Sequence, residues 1–141
     1  MPLDLATCLK IAQSALDAGC AENIGALSAV VTDASGAIRV ALRADGVGAF
    51  GVDIAHGKAQ TALGFNRSSM QLSKIFGSNP GAVAALSGVI GGKFLPLGGG
   101  VLIQDSAGNL LGAAAVAGSA PENDERFIVS AVRGQGLVVP D

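Results

Sequence analysis

Two strand–turn–strand patterns constrain the fold of this chain more than any other feature of its sequence. In the first, the apolar residues 26–32 lead through the turn Asp33-Ala-Ser-Gly36 into residues 37–42. In the second, the turn Asp105-Ser-Ala-Gly108 follows a strand expected at 101–104. Short turns of this composition join neighbouring antiparallel strands. The sequence therefore predicts an α/β (α+β) fold in which helices pack on an antiparallel sheet.

Helical periodicity predicts the elements around these hairpins. A first helix begins after Asp4, its expected N-cap, and ends near Gly19 and residues 23–25. Its apolar face is predicted to carry Leu5, Leu9, Ala12 and Leu16. The other predicted elements are helices at 52–65, 68–76 and 81–86 and strands at 93–97 and 109–117.

The last helix has recognisable boundaries. Ser119-Ala-Pro121-Glu122 matches a capping box with proline in the first turn. Gly134 or Gly136 marks the end of the helix. Its buried face is predicted to consist of Phe127, Ile128, Ala131 and Val132.

Composition limits the functional classes that this chain can belong to. Residues 1–141 are long enough for a single domain with its own core, and half of them are hydrophobic. Charged residues make up only 14% and the net charge is −2, which argues against a nucleic-acid surface. Few charges among many small apolar residues predict that part of the surface is covered by another copy, so we expect a homo-oligomer.

The cysteines and the N-terminus indicate the cellular compartment. Cys8 and Cys20 fall twelve residues apart on the first predicted helix, about 18 Å, which is too far for a disulfide. We expect both to be free thiols that pack as small buried hydrophobes. Residues 1–10 lack the pattern of a signal peptide, and no apolar run is long enough to span a membrane. The sequence thus predicts a cytoplasmic protein without a membrane partner.

Gly46-Val-Gly48-Ala-Phe-Gly51 has the glycine spacing of a dinucleotide-binding fingerprint, but the rest of the sequence lacks the other features of that fingerprint. That fingerprint requires an acidic residue about 20 positions further on, to hold the ribose hydroxyls. After Asp53 the next acidic residue is Asp105, and the chain lacks room for two βαβαβ halves. We interpret these glycines as a flexible connection between a strand and a helix.

The helix predicted at 52–65 carries the first candidate functional residue, Lys58. Lys58 shares one helical face with Ile54, Thr61 and Phe65, so it lies along an apolar stripe. A lysine in that position either extends its amine to solvent or offers it to an anion in a pocket. His56 points the other way and is expected at the surface.

Two other segments could contribute to a site. Glu122, Asp124 and Glu125 lie in the first turn of the last helix, where carboxylates complement the helix dipole. Only a contact with Lys58 or Arg43 would give them a chemical role. The run Gly98-Gly-Gly100 permits a bulged turn or a close approach of backbone to a ligand.

The remaining residues offer little conventional catalytic chemistry. One histidine and no tyrosine make a catalytic triad improbable, and no zinc site is expected. The residues that could ligate a haem iron are His56, Cys8, Cys20, Met1 and Met70, or atypically Thr61 and Lys58.

Several segments resemble the GlcG/HbpS-like family, which includes the C-terminal domain of PduO-type proteins. These are Ser28–Gly36 with Arg43–Gly46, Ile54-Ala-His-Gly-Lys58-Ala-Gln-Thr61-Ala, Gly99-Gly100-Val-Leu-Ile103, Leu111–Gly118 and Pro121–Glu125. The chain departs from the family pattern where Val101-Leu102 replaces x-Pro and where Ala115 and Ala117 end the closing strand. The resemblance implies a profilin-like sheet flanked by helices, assembled as dimers or larger oligomers. Some members bind haem as haem-degrading or redox-sensing accessories, and others accompany glycolate or diol metabolism.

The resemblance leads to two functional hypotheses. The first is a protein that binds haem or a related tetrapyrrole, with carboxylates held by Arg43 and Lys58 and a pocket lined by Thr61, Phe65, Gly99 and Gly100. The second is an enzyme that acts on a small carboxylate-bearing metabolite. In that case Lys58 would be the clamp or acid/base, and Asp124 or Glu125 the proton acceptor. A subunit with a purely structural role is a third interpretation.

Overall fold

The computed structural model describes residues 3–140, which form five helices and one four-stranded antiparallel sheet. In chain order the elements are α1 (Leu5–Ala21), β1 (Ser28–Asp33), β2 (Ile38–Arg43), α2 (Gly51–Phe65), α3 (Ser69–Phe76), α4 (Pro80–Ile90), β3 (Gly100–Gln104), β4 (Leu110–Ala117) and α5 (Pro121–Arg133). The sheet order is β2-β1-β4-β3. The predicted α+β fold with its two hairpins is confirmed.

Helices cover both faces of the sheet. On one face α1 and α5 pack against the strands around Val31 and Val116, and on the other α2 packs around Val30 and Ala115. Because successive strand side chains point to opposite faces, β1 and β4 are buried almost throughout their length. The alanines of β4 allow α2 to approach the sheet closely, which places α2 directly over the middle strands.

The buried face of α1 differs from the prediction. Leu5 and Leu9 are 58% and 48% exposed, while Ala12 is buried as predicted. The buried stripe consists of Cys8, Ile11, Ala12, Ala15 and Gly19. A Cβ on Gly19 would come within 2.7 Å of the Ile24 carbonyl oxygen, so the chain packs too closely against the end of this stripe for a side chain. Asp4 caps α1 as predicted, by accepting the Thr7 N–H at 2.7 Å.

The two cysteines have different environments. Both are free thiols, as predicted. Cys8 is buried, and this burial raises the pKa of its thiol. Cys20 is exposed near the end of α1, so the prediction that it packs as a buried hydrophobe was wrong.

The strand predicted at 93–97 is an irregular segment. Its backbone is held by the Thr61 hydroxyl, which donates to the Lys93 carbonyl oxygen at 3.1 Å and accepts from the Leu95 N–H at 2.7 Å. Pro96 has no N–H to donate to a neighbouring strand, which explains why sheet pairing does not begin here. The chain pairs with β4 of the sheet only from Gly100 onward.

The start of α5 also differs from the predicted capping box. Ala120 is the N-cap, and Pro121 is the first helical residue. The Asp124 carboxylate accepts the Ser119 N–H at 3.0 Å, and the Ser119 hydroxyl accepts from the Asn123 amide at 3.2 Å. In the predicted capping box the Glu122 side chain would accept the Ser119 N–H, and Asp124, one turn inside the helix, accepts it instead. Gly134 ends the helix, as predicted.

Candidate functional site

Lys58 lies inside the protein, in an ion pair with Asp124. Its side chain is only 5% exposed, and its Nζ lies 3.1 Å from Asp124 Oδ2. The same amine donates to the Val116 carbonyl oxygen at 3.0 Å. Of the two interpretations of this lysine, the structure shows a buried amine that faces an anion, and that anion is a carboxylate of the chain itself.

Asp124 is equally enclosed. Its side chain is 1% exposed, and its second oxygen accepts the Ser119 N–H. Burial lowers the pKa of Lys58 and raises that of Asp124, and each charge partly offsets the effect on the other. The pair links α2, β4 and the first turn of α5, so it fixes the position of α5 on the sheet.

The Gly98–Gly100 turn approaches the chain's own backbone and side chains. Gly99 has a φ of +128°, and a Cβ there would lie 2.6 Å from the Val116 carbonyl oxygen and 2.9 Å from Lys58 Nζ. Ser69 holds the next residue, because its hydroxyl accepts the Gly100 N–H at 2.8 Å and donates to the Gly100 carbonyl oxygen at 3.3 Å. The glycines are therefore required by the close packing of this turn over the Lys58–Asp124 pair.

Thr61 and Phe65, on the same face of α2 as Lys58, support the following segment. Thr61 is 2% exposed and binds the backbone of residues 93–95. Phe65 packs with Phe94 and Phe76, at ring-centroid distances of 4.9 and 6.3 Å. These residues form an interior layer beneath α3 and α4.

The other sequence candidates lie outside this layer. Arg43 is exposed at the end of β2, opposite Ser28 in the sheet register. The His56 ring is half-buried, with its Nε2 2.8 Å from the Gly36 carbonyl oxygen. Among residues 3–140, no group of three or more His, Cys, Asp or Glu side chains is arranged to hold a metal ion.

An open groove lies between α5 and the start of α3. Its main part, about 800 Å³, is lined by Met70, Glu122, Glu125, Arg126, Val129, Ser130, Arg133 and Gly134. An adjoining part of about 360 Å³ shares Met70, Glu125, Val129 and Arg133 and extends to Lys74 and Val139. We call the two parts together the α3–α5 groove.

Glu125 is a polar residue that lines both parts of the α3–α5 groove. It follows Asp124 in the chain, and its Oε2 is buried without a hydrogen-bond partner in the described structure. Burial raises the pKa of the Glu125 carboxyl, the nearby Lys74 lowers it, and Glu122 raises it further. A half-buried carboxyl of this kind can accept a hydrogen bond or, when protonated, donate one to a ligand.

Met70 forms the wall of the groove opposite α5. A Cβ on Gly98 would come within 3.1 Å of the Met70 sulfur, so the first glycine of the turn makes room for this side chain. The α3–α5 groove is lined by none of the residues predicted to contact a ligand, which are Arg43, Lys58, Thr61, Phe65, Gly99 and Gly100.

Sequence reasoning identified Met70 and Glu125 but missed Arg126, Val129 and Arg133. These three lie on the outer face of α5, at the spacing of successive helical turns from Glu122. An apolar Val129 flanked by charged residues on an otherwise solvated face was the signal available in the sequence.

Comparison with known proteins identifies the family. The model of a family described as haem degrading protein, HbpS-like, matches residues 3–133, which is most of the chain. The chain belongs to the HbpS-like family. A search of curated protein sequences finds no match.

Solved structures have the same fold as this HbpS-like chain. The crystal structure of HbpS is 27% identical, with a TM-score of 0.81, over 95% of this chain and 90% of that one. A PduOC–haem complex is 21% identical, with a TM-score of 0.87, over the whole of both chains. Klebsiella pneumoniae ORFY is 21% identical, with a TM-score of 0.83, over 94% of this chain and 90% of that one.

Proposed function

We propose that this HbpS-like protein binds haem or a related tetrapyrrole in the α3–α5 groove, as a small-molecule-binding accessory to metabolism or redox sensing. The observation that carries the proposal is the donor set of the groove. It places a thioether, Met70, beside the apolar Val129 and beside the cationic Arg133. Haem presents a coordinating iron, an apolar macrocycle and two carboxylates, which these three chemistries match.

Met70 is the side chain that fits the role of an iron ligand. The Lys58 amine and the Thr61 hydroxyl are already hydrogen-bonded inside the protein. Cys8 is buried in the core, Cys20 and His56 line neither part of the groove, and Met1 lies outside the described residues. Met70 is half-exposed and lines both parts of the groove. A thioether ligand raises the reduction potential of a haem iron, which would suit a redox-sensing role.

Arg133 fits the role of carboxylate anchor. It is exposed at the end of α5 and takes part in no ion pair among residues 3–140. Arg126, by contrast, is paired with Glu22, with a second contact at 2.9 Å. Arg43, which the resemblance suggested for this role, lies in neither part of the groove.

The comparisons support this proposal at two levels. The HbpS-like family is described as haem degrading, and HbpS itself is 27% identical to this chain. The PduOC structure, which shares the fold, contains haem. We extend the proposal to a homo-oligomer that acts in the cytoplasm, in line with the composition and with the two free thiols.

A haem titration tests the proposal. We expect a saturable Soret band with a fixed number of haems per chain. Met70→Leu should shift the band by removing the sulfur ligand while keeping the side-chain volume. Arg133→Gln should weaken affinity about tenfold, equivalent to about 1.4 kcal/mol.

The matched control is Arg67→Gln, which changes an exposed arginine outside both parts of the groove and should leave both readouts unchanged. Weak, non-saturating association of haem would contradict the proposal. Saturation with a spectrum and affinity that neither variant changes would place the haem elsewhere.

The enzyme hypothesis remains the second candidate, supported by the juxtaposition of Glu125 and Arg133 in one groove. Arg133 would hold a substrate carboxylate and Glu125 would transfer a proton. The buried Lys58–Asp124 pair would act as support for this site. A thermal-shift screen of small carboxylates tests the idea, since a stabilising compound should lose its effect in Arg133→Gln and its turnover in Glu125→Gln.

A further inference from the structure

The start of helix α2 leaves backbone hydrogen-bond donors without partners. Its N-cap residue, Phe50, supplies no side-chain hydrogen bond. Among residues 3–140, the N–H groups of Val52 and Asp53 meet no acceptor in the protein. Free N–H groups at a helix start carry the positive end of the helix dipole and attract anions. Water satisfies many such helix ends, so this feature on its own does not define a site.

A buried serine hydroxyl faces the same helix start. Ser28 is 0% exposed, and its Oγ has no hydrogen-bond partner within residues 3–140. A Cβ on Gly51 would come within 2.6 Å of Ser28 Oγ, so this oxygen lies against the first residue of α2. Buried hydroxyl groups are nearly always hydrogen-bonded. An unsatisfied hydroxyl at this position therefore points to a ligand atom.

Arg43 brings a cation to the same end of the sheet. It lies opposite Ser28 in the register of β1 and β2. Directly opposite residues of antiparallel strands have their side chains on one face, with Cβ atoms about 5 Å apart. Arg43 therefore leaves the sheet on the side that α2 covers. It is exposed and forms no ion pair in the part of the chain that the structure describes.

The loop between β2 and α2 controls access to the hydroxyl. Val47 is half-buried, and its Cγ1 lies against the same position of Gly51 as Ser28 Oγ does. Its neighbours in the chain are two exposed glycines, Gly46 and Gly48, and glycine allows the backbone an unusually wide range of conformations. Movement of the Val47 side chain on this loop would expose Ser28 Oγ to a ligand.

We propose that the start of α2 binds a phosphate group, either free phosphate or that of a small phosphate ester. The donors are the N–H groups of Val52 and Asp53, the Ser28 hydroxyl and the Arg43 guanidinium, and we call them the α2 anion site. They come from three elements, and a tetrahedral phosphate offers oxygens in several directions, whereas a carboxylate offers two in one plane. The inference goes beyond the proposed haem binding, because none of these residues lines either part of the α3–α5 groove.

Two carboxylates near the α2 anion site oppose this binding. Asp45 and Asp53 are exposed, and neither joins an ion pair among the described residues. Their negative charges repel an anion, while the Asp53 backbone N–H attracts it. Asp53→Asn keeps the N–H and removes the charge, so it should tighten phosphate binding.

Amide NMR of the isotope-labelled protein, titrated with inorganic phosphate at constant ionic strength, tests the site. We expect saturable shifts of the Val52 and Asp53 amides. Ser28→Ala should weaken phosphate binding about tenfold without lowering stability, because the hydroxyl has no protein partner to lose. Arg43→Gln should also weaken it about tenfold. The matched control is Arg67→Gln, at an exposed arginine beyond the other end of α2, which should leave the affinity unchanged.

Methyl phosphate and acetate identify the class of the ligand. Methyl phosphate that binds at least as tightly as inorganic phosphate supports a phosphate ester, and binding of inorganic phosphate alone supports the free ion. Acetate that shifts the same amides with equal affinity would overturn the assignment to phosphate. Shifts that do not saturate, or an affinity that both Ser28→Ala and Arg43→Gln leave unchanged, would overturn the site. Haem titration of Ser28→Ala should match that of wild type, so the two binding proposals can fail separately.

Discussion

Asp124 and Glu125 are adjacent carboxylates on α5, yet they have opposite environments. Asp124 is enclosed and accepts hydrogen bonds from Lys58 and Ser119. Glu125 faces the α3–α5 groove, and its Oε2 has no partner in the described structure. Neighbouring helix positions point about 100° apart, so one residue faces the sheet and the next faces the groove.

The comparison separates structural from ligand-binding chemistry. A buried charge with a complete set of partners holds the fold together and has no capacity left for a ligand. A half-buried carboxyl with an unused oxygen keeps that capacity. We therefore assign support to the Lys58–Asp124 pair and ligand contact to the groove around Glu125.

Breaking the buried pair should produce the largest change in stability. Lys58→Met leaves the Asp124 carboxylate buried without its cation, and we expect the free energy of unfolding to fall by about 3–5 kcal/mol. Urea denaturation measures this loss. Lys93→Met, at an exposed lysine, is the control and should change stability by less than about 0.5 kcal/mol.

The double variant Lys58→Met with Asp124→Asn sharpens the result. Because it removes both charges, it should be more stable than Lys58→Met alone. A loss in Lys58→Met below about 1 kcal/mol, the size expected for an exposed pair, would show that the pair does not fix α5.

Changing the glycine above the pair should have an intermediate effect. Gly99→Ala introduces a Cβ at a φ of +128°, against the Val116 carbonyl and the Lys58 amine. We expect a loss of about 1–3 kcal/mol from backbone strain, together with displacement of the amine. Thermal unfolding measures the loss.

Gly46→Ala separates strain from crowding in this experiment. Gly46 also has a positive φ, +82°, but a Cβ there meets no atom within 4 Å. Gly99→Ala should therefore be the less stable of the two variants. Equal losses of stability in the two variants would mean that contact of the methyl group added at Gly99 with the buried pair does not add to the destabilisation.

The smallest effect is expected at Glu125, and it should depend on pH. The pKa of the Glu125 carboxyl is raised in the folded protein above its ordinary value of 4.5. The folded state thus favours the protonated form, and this contribution to stability is complete below pH 4.5 and lost as pH rises through the folded pKa.

Glu125→Gln imitates the protonated form and tests this sign. The variant should melt slightly higher than wild type at neutral pH, and the difference should shrink as the pH approaches 4.5. Asp45→Asn is the control, since it removes an exposed carboxylate that lines neither part of the groove and does not act on the pKa of Glu125. A variant that melts lower at neutral pH would mean that ionised Glu125 is stabilised in the folded protein.

Much of the fold followed from local sequence patterns. The Asp-x-x-Gly turns located both hairpins, and helical periodicity with Asp4 and Gly134 located α1 and α5. The errors occurred where packing outweighs pattern. Leu5 and Leu9 of α1 face outward because α5 and the sheet cover the stripe that runs from Cys8 through Ile11 to Gly19. Residues 93–97 are held by the Thr61 hydroxyl instead of a strand.

The candidate site was less predictable. The sequence indicated Lys58, the acidic cluster of α5 and the glycine turn. It also predicted that contact with Lys58 would give one of these acidic residues a chemical role. It left open which of three carboxylates makes this contact and whether the lysine faces a ligand. Those points depend on how α2 and α5 cross the sheet, which is set by contacts between residues 66 positions apart.

The sequence by itself determined the order of the elements, the hairpins and the scarcity of charge, because turn chemistry and hydrophobic spacing act over a few residues. Only the tertiary structure decided that Lys58 pairs with Asp124, that Met70, Glu125 and Arg133 share a groove, and that Ser28 faces the start of α2. The physical reason is that burial and charge pairing are properties of the space between elements, and the folded chain brings distant residues together there.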